Sequence, residues 1–361
     1  MKLKELKSAQ RKKLLFHFLV VTIIGTLFLS FAASTLYKDK KAEDRYWDAY
    51  LETADATHAQ VEQLSANATS VTVGTYVENL KELSLKSNNF QVTFLAWFRW
   101  EDSPDLDIMN HFRIYKGMIN KMQVVKDYHE GSTNYQLVRC DATVSKNYWT
   151  LRFPLETHQL RFYLELDFPI EQAVLVADRE NSGYNKNLSI SGYKLMRYDN
   201  AITTMQYENT RNDPELTKPV ATSEFVTAIE INRSSWGLYT KCFIALVGTI
   251  TWVLITLFLS SYHHVDPLAM IPAALFGTVS NIMVGANLLP DALEIGLLEY
   301  VNIWGILTIL AGAISLININ RIRNKYDDHA FAGLFGRVMF YTILFFAVAG
   351  NLILPISAYV F

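Results

Sequence analysis

The residues able to do chemistry are sparse and scattered along this chain. It carries 8 histidines, 35 aspartates and glutamates, and only two cysteines, Cys140 and Cys242. The densest acidic group is Glu101-Asp102 with Asp105 and Asp107. A calcium loop needs several oxygens converging at set positions, and this spacing lacks them, so a solvated loop is the plainer reading. No CxxC pair and no Cys/His cluster has metal-ligand spacing. GxSxG, HExxH, a P-loop and a strand-to-helix GxGxxG are all absent, so no catalytic constellation points to an enzyme and no cofactor is implied. A net charge of −2 gives no nucleic-acid footprint. Cys140 falls in a polar segment and Cys242 at the start of an apolar one, which speaks against an intrachain disulfide.

What the sequence does build is a membrane protein. Half of its residues are hydrophobic, but the mean hydropathy of +0.11 averages two unlike halves. Four apolar runs, Cys242–Ser260, Leu268–Leu289, Leu297–Ile317 and Val338–Phe361, each approach the ~20 residues a helix needs to cross a bilayer. A fifth, Leu14–Ala33, follows a basic start of Lys2, Lys4, Lys7, Arg11, Lys12 and Lys13. Its length suits an anchor better than a cleaved signal, although Ala32 and Ser34 offer a cleavage site. Basic residues stay on the cytoplasmic side. That rule puts the N-terminus, Arg321, Arg323, Lys325 and Arg337 inside, and residues 37–236 and Phe361 outside. The expected location is the inner membrane of a bacterial cell, crossed several times, with the β domain and C-terminus periplasmic or extracellular.

The intervening segment changes period twice. Trp47, Leu51, Ala54, His58, Val61 and Leu64 recur at three- and four-residue spacing, predicting a short amphipathic helix over Lys38–Ala66. From Val71 the period is two. Strands are predicted over Val71–Leu85, Phe90–Arg99, Trp149–Phe153, Leu160–Leu166, Leu188–Tyr198, Ile202–Glu208 and Phe225–Ile231, with a turn at Lys86–Asn89 and a polar loop at Asn209–Pro219. The expected fold class is α+β: an extracytoplasmic β-sandwich followed by a four-helix transmembrane bundle, with an additional N-terminal membrane helix. The expected divisions are 1–36 (basic start and anchor), 37–68 (helical stalk), 69–234 (β domain) and 235–361 (bundle).

Four segments give this layout a likeness. Asn89–Asp102 ends in an aromatic–basic–Trp–x–Asp pattern. Phe153-Pro154-Leu155-Glu156-Thr157-His158-Gln159-Leu160 approaches a Phe-Pro-x-Asp-x-Gln-x-Leu loop, with Glu156 for Asp and one extra residue before the Gln. Ile229–Arg233 is a strand ending in Arg just before the first bundle helix. Asn281–Pro290 looks like the end of a second bundle helix and its link to the third. In this order the segments resemble the pentameric ligand-gated ion channels, the Cys-loop receptor superfamily, in its bacterial branch, over roughly Val71 to Phe361. The missing loop cysteines fit that branch. The anchor and the Lys38–Ala66 helix depart from it.

The resemblance implies a homo-pentamer in membrane lipid, passing inorganic ions in response to a small-molecule or proton agonist. It implies that Leu268–Leu289 lines the pore through Asp266, Leu268, Pro272, Leu275, Val279 and Ile282, with Leu275 and Val279 as an apolar gate. A rotated helix would present Ala274, Thr278 and Asn281 instead. Five copies of Asp266 would favour cations, and protonated His263 and His264 would weaken that preference. It implies that Pro154, Glu156 and Arg233 couple the β domain to the bundle, Glu156 pairing with Arg233. Contact of Arg233 with lipid phosphate is the plainer alternative. The agonist would meet Trp97, Arg99 and Tyr207 between neighbouring β domains, with extracytoplasmic His111, His129 and His158 as titratable groups. Pro272 kinks the pore helix and its inner half lacks hydroxyls. A non-conducting receptor or scaffold of the same fold, signalling to a membrane partner, therefore stands as the alternative.

Overall fold

The structure, a computed structural model, describes residues 5–65, 67–103, 105–207, 221–263, 265 and 295–359, with the side chains of residues 49–64 excepted. The pore candidates Asp266, Leu268, Pro272, Leu275, Val279 and Ile282, together with the Asn209–Pro219 loop, lie outside the described residues. So does the Leu268–Leu289 run. The chain divides into two compact units. One is helical and contains Met1–Ala42, Thr150–Glu156 and Trp236–Phe361. The other is β-rich and contains Glu43–Trp149 and Thr157–Ser235.

Among the described residues the β-rich unit contains ten strands: β1 (Thr69–Ser84), β2 (Asn89–Glu101), β3 (Phe112–Ile114), β4 (Gly117–Glu130), β5 (Thr133–Ser145), β6 (Thr157–Pro169), β7 (Ala173–Ala177), β8 (Gly183–Tyr184), β9 (Tyr193–Gln206) and β10 (Ala221–Arg233). They lie in two sheets. The first runs β4-β5-β2-β1-β7, with β8 also on β1, and the second runs β3-β6-β10-β9. The predicted hairpin of β1 and β2 pairs Val71 with Trp100 and Ser84 with Asn89, antiparallel throughout, and Asn88 makes its turn at φ 51°. Alternation puts one face of each strand inward. Phe94 on β2 meets Phe162 on β6 with ring centroids 4.7 Å apart, and Phe98 meets Phe112 at 5.2 Å. Even the polar inward groups pair, Thr75 with Thr227 at 2.6 Å.

Two expectations for the strands change. Within the described residues, the predicted strands Leu188–Tyr198 and Ile202–Glu208 merge into one element, β9, which begins only at Tyr193, residues 188–192 forming no strand. Trp149–Phe153 is not a strand. Its backbone closes two successive turns, Phe153 N–H to Thr150 O at 2.9 Å and Leu155 N–H to Arg152 O at 2.8 Å, and Phe153–Pro154 is cis. Those bonds spend the donors that a ladder would have used.

Four long helices are described, each apolar and long enough to cross a membrane: α1 (Ser8–Leu64), α2 (Gly237–Tyr262), α3 (Leu297–Tyr326) and α4 (His329–Tyr359). With the two sheets they make a mixed α+β protein of membrane type. The anchor and stalk, expected as separate elements, are one helix, because Ala33–Lys38 offers no Gly or Pro to stop it. The apolar runs underestimate α3 and α4: a polar stretch through Arg321, Arg323 and Lys325 extends α3, and α4 begins at His329 rather than at Val338. Arg323 and Lys325 close α3, where cations suit the helix C-terminus. α2 and α3 approach closely at Gly305 and Gly312, where an added Cβ would lie 2.4 Å from Leu246 and 2.4 Å from Val253 respectively. Inside this unit many hydroxyls bond back to their own helices, Thr249 to Ala245 O and Ser261 to Leu257 O among them, which keeps those donors from facing hydrocarbon unsatisfied.

Candidate functional site

The outer face of the second sheet carries the most concentrated polar chemistry of the β-rich unit. Residues directly opposite in a ladder point to one face. Arg113 on β3 stands opposite Glu165 on β6, and Glu165 stands opposite Glu224 on β10. Glu165 is fully buried yet well served. Arg113 donates to both of its oxygens, from Nη2 at 2.9 Å and Nε at 3.1 Å. Tyr207 O–H donates at 2.7 Å and Thr222 O–H at 2.8 Å. Such forked arginine–carboxylate bonds are strong and hold orientation. Glu224 is buried beside them, and its Oε1 has no hydrogen-bond partner among the described residues. Burial, reinforced by the charge of Glu165, pushes its carboxyl up to about 7, against the pull of Arg113. Burial and the bond to Glu165 push the Tyr207 phenol up to about 12, so it remains a donor. The cluster is one carboxylate fixed by four hydrogen bonds, next to a second that exchanges its proton near neutrality.

Further along the same face, residues Glu43–Trp47 of α1 cover the sheet. Gln159 Nε2 donates to Glu43 O at 3.1 Å. The Arg161 guanidinium lies 4.5 Å over the Tyr46 ring, and that of Arg197 lies 4.8 Å over Trp47. Arg197 also pairs with Glu230, which stands opposite it on β10. These cation–aromatic contacts pack the guanidinium heads of Arg161 and Arg197 against the α1 segment.

Of the sequence-predicted agonist residues, Trp97 and Arg99 share a site and Tyr207 belongs to another. Trp97 and Arg99 lie on the outer face of the first sheet. With Thr72, Tyr135, Asp178 and Asn181 they line a cavity of about 440 Å³. Trp97 Nε1 donates to Asp178 Oδ2 at 3.1 Å, and Asn181 Nδ2 holds both oxygens of Asp178. Gly74 opposite leaves room for the indole: a Cβ there would sit 2.2 Å from Trp97 Cζ2. Two aromatic faces with one cation and one anion suit a small ligand carrying charge. Tyr207, on the other sheet, is held by Arg113 and Glu165 as described.

No protein-family model and no curated protein matches the chain. Its chemistry is therefore argued from geometry.

The acidic residues around Asp102 are tied into their loops. Glu101 accepts from Ser132 and Thr133, which hold its carboxyl below the usual range. Asp107 accepts from Asn110 and Gln136. Among the described residues, no group of three or more His, Cys, Asp or Glu is placed to hold a metal ion. The histidines are packed singly. His111 bonds Asp107 O at 2.7 Å, His129 bonds Asn134, and His158 is buried between Tyr148 and Tyr193. Cys140 is buried, which pushes its thiol up to about 12 and makes it inert.

The loop around Pro154 belongs to the helical unit, although strands flank it in sequence. Leu151 O accepts from Leu297 N–H at 2.6 Å, satisfying an orphan donor in the first turn of α3. Arg152 is almost fully buried, pairs with Asp39 of α1 at 3.0 Å and donates to Ala358 O in the last turn of α4 at 3.3 Å. One loop thus engages three helices. Glu156, at its end, is fully buried in this unit. Arg233 ends β10 in the β-rich unit, its guanidinium 4.0 Å over the Tyr193 ring. Sequence reasoning missed Arg152 here, as it missed Arg113, Glu165 and Glu224 on the second sheet. The one visible signal for Arg152 was a charge beside the Phe-Pro pair in a stretch read as a strand.

Proposed function

We propose that the chain is a subunit of a pentameric ligand-gated ion channel of the Cys-loop receptor type. In this reading the two sheets form an extracytoplasmic sandwich, and α2, the Leu268–Leu289 run, α3 and α4 form the transmembrane bundle. α1 is then an additional membrane helix. The observation that carries the proposal is the Thr150–Glu156 loop. It corresponds to the Phe-Pro signature loop of that family, and it is seated among helix ends through Leu151, Arg152 and Glu156. A loop from the β segment that caps α3 and braces α4 is what a coupling element needs.

Other features support the reading. Gln10 on α1 bonds Asp328 at the α3–α4 joint at 2.6 Å, so the basic N-terminus and the cations closing α3 gather at one end. That clustering fits a cytoplasmic side. β4 leaves a sheet edge unpaired and exposes Met118, Met122, Val124 and Val125, a surface suited to a neighbouring copy. In a ring, the Trp97–Arg99 cavity of one subunit faces the Tyr207 side of the next, and the agonist binds there. Protons act through the Glu165–Glu224 pair. The test is current across liposomes containing the purified chain, while small charged ligands and pH are varied. Agonist- or pH-dependent current lost in Arg152→Ala supports the proposal. A tight bilayer from a verified pentamer overturns it.

One observation favours the second reading, a non-conducting receptor. α1 is a single helix whose residues up to Ala42 belong to the helical unit and whose residues from Glu43 belong to the β-rich unit. A helix so divided is a route for a signal that needs no pore. In that case the bilayer stays tight and crosslinking recovers a membrane partner.

A further inference from the structure

The helical unit contains a cleft that neither reading uses. It has a volume of about 440 Å³ and is walled by α1 from Phe16 to Gly25, by α3 from Trp304 to Ser315, and by Met339, Ile343 and Phe346 of α4. That size falls in the range of ligand pockets, roughly 300–1,000 Å³. Nearly all of its wall is hydrocarbon or aromatic, and its rim residues Phe16, Ile24, Leu310 and Ile314 are exposed. Most of its few polar groups are already committed, although the Trp304 indole N–H is buried without a partner among the described residues. Thr308 O–H donates to Trp304 O at 2.9 Å, Ser315 O–H to Ala311 O at 2.7 Å, and His17 Nδ1 bonds Lys13 O at 2.9 Å. A strongly polar ligand would find few partners here among the described residues and would bear most of its desolvation cost uncompensated. An open apolar cleft on helices of membrane length takes hydrocarbon from the side.

The headgroup end is marked by charge. Lys13 lies one turn before His17 on α1, and Arg321 lies about 9 Å of helix rise beyond Ser315 on α3. The two cations are within electrostatic reach of each other. Asp328, at the α3–α4 joint, is engaged by Gln10 Nε2. Two cations held together beyond the mouth of an apolar cleft are complementary to a phosphate. We infer that the α1–α3–α4 cleft binds one acyl chain of an anionic phospholipid, with the headgroup phosphate between Lys13 and Arg321. The lipid then fills the wall between the N-terminal helix and the bundle. The inference stands independently of conduction.

The test uses the full chain in detergent, offered phosphatidylglycerol or phosphatidylcholine with matched acyl chains, with retained lipid counted by native mass spectrometry. The wild type is expected to retain one phosphatidylglycerol per chain in preference to phosphatidylcholine. The preference should be roughly fivefold for each cation engaged. Lys13→Gln with Arg321→Gln abolishes the preference and leaves phosphatidylcholine retention unchanged. Ala311→Trp fills the cleft and removes both lipids. A second measurement does not depend on that variant folding. Acyl-brominated phosphatidylglycerol should quench the wild type more than Trp304→Phe, because Trp304 forms the cleft wall. Equal retention of both lipids by the wild type overturns the inference, as does retention unchanged in Ala311→Trp or quenching unchanged in Trp304→Phe. Disulfide capture of a second chain through Ser315→Cys also overturns it, because the occupant is then another copy.

Discussion

Glu165 and Glu224 stand directly opposite each other on β6 and β10, both buried, one bound by Arg113 and the other with an oxygen that has no hydrogen-bond partner among the described residues. Two carboxylates this close do not share ionisation equally. The four hydrogen bonds at Glu165 fix which of them carries the charge and leave the proton with Glu224.

This asymmetry makes stability depend on pH in a defined direction. The folded Glu224 carboxyl titrates near 7 against 4.5 for the unaffected side chain, so the native state binds the proton more tightly than the unfolded one. Its contribution favours the fold at low pH and is lost as pH rises from about 4.5 to about 7, on the order of 3 kcal/mol in all. Glu224→Gln should flatten that part of the profile and raise the melting temperature above pH 7. Thermal melts across pH 4 to 9 check it, and an unchanged slope in the variant refutes the assignment.

Arg152 should be costly to truncate. Removing one partner of a buried ion pair costs roughly 3–5 kcal/mol, because the other charge stays behind. Arg152→Ala is therefore expected to lower stability by that amount in detergent. A double change of Arg152→Met with Asp39→Leu should recover much of it. Equal losses in the single and double variants would show that the pair is not the cause.

Gly74→Ala should disturb the Trp97 cavity without touching its charged groups. The new methyl has no room beside the indole, so the ring swings away and its bond to Asp178 breaks. A red shift in tryptophan emission reads this change. Asp178→Asn serves as the control, because it keeps the space and weakens only the acceptor.

Trp47→Ala should free the α1 segment from the second sheet. The ring is almost fully buried and faces the guanidinium groups of Arg161 and Arg197. Large-to-small changes of this kind cost roughly 3–5 kcal/mol. Amide exchange over residues 43–48 should accelerate, while the β1–β2 ladder stays protected. Uniform acceleration across both would mean global destabilisation instead.

Period-two patterning made β1, β2, β6 and β10 readable: β1 and β2 alternate in burial, and β6 and β10 are buried on both faces but keep polar side chains such as Glu165 and Glu224 on one of them. β4 gave no such signal. Almost every residue from Gly117 to Glu130 is exposed, so neither face had to be apolar, and only its ladder to β5 makes it a strand. Trp149–Phe153 misled for the opposite reason. Phe153 is buried in the helical unit rather than on a sheet while Trp149 is exposed, and hydrophobic alternation does not say against what a side chain is buried. The long helices were legible in their apolar stretches and not in their polar ends. The Glu165–Glu224 pair was invisible because it depends on register: fifty-nine positions separate the two residues, and a bulge between Thr222 and Glu224 brings them opposite.

The bracing of three helices by one loop also fixes an order of manufacture. Arg152 leaves the ribosome 206 residues ahead of Ala358, whose carbonyl it finally holds, and Leu151 long before the Leu297 amide it caps. Of the loop's three helical clients, only α1, with Asp39, is already made when the loop emerges. The nascent strands must therefore keep a charged, partly satisfied loop in waiting until the last apolar helix has been threaded. Any handling factor that shields such a loop during synthesis would act at this step, before a subunit is ready to meet its copies.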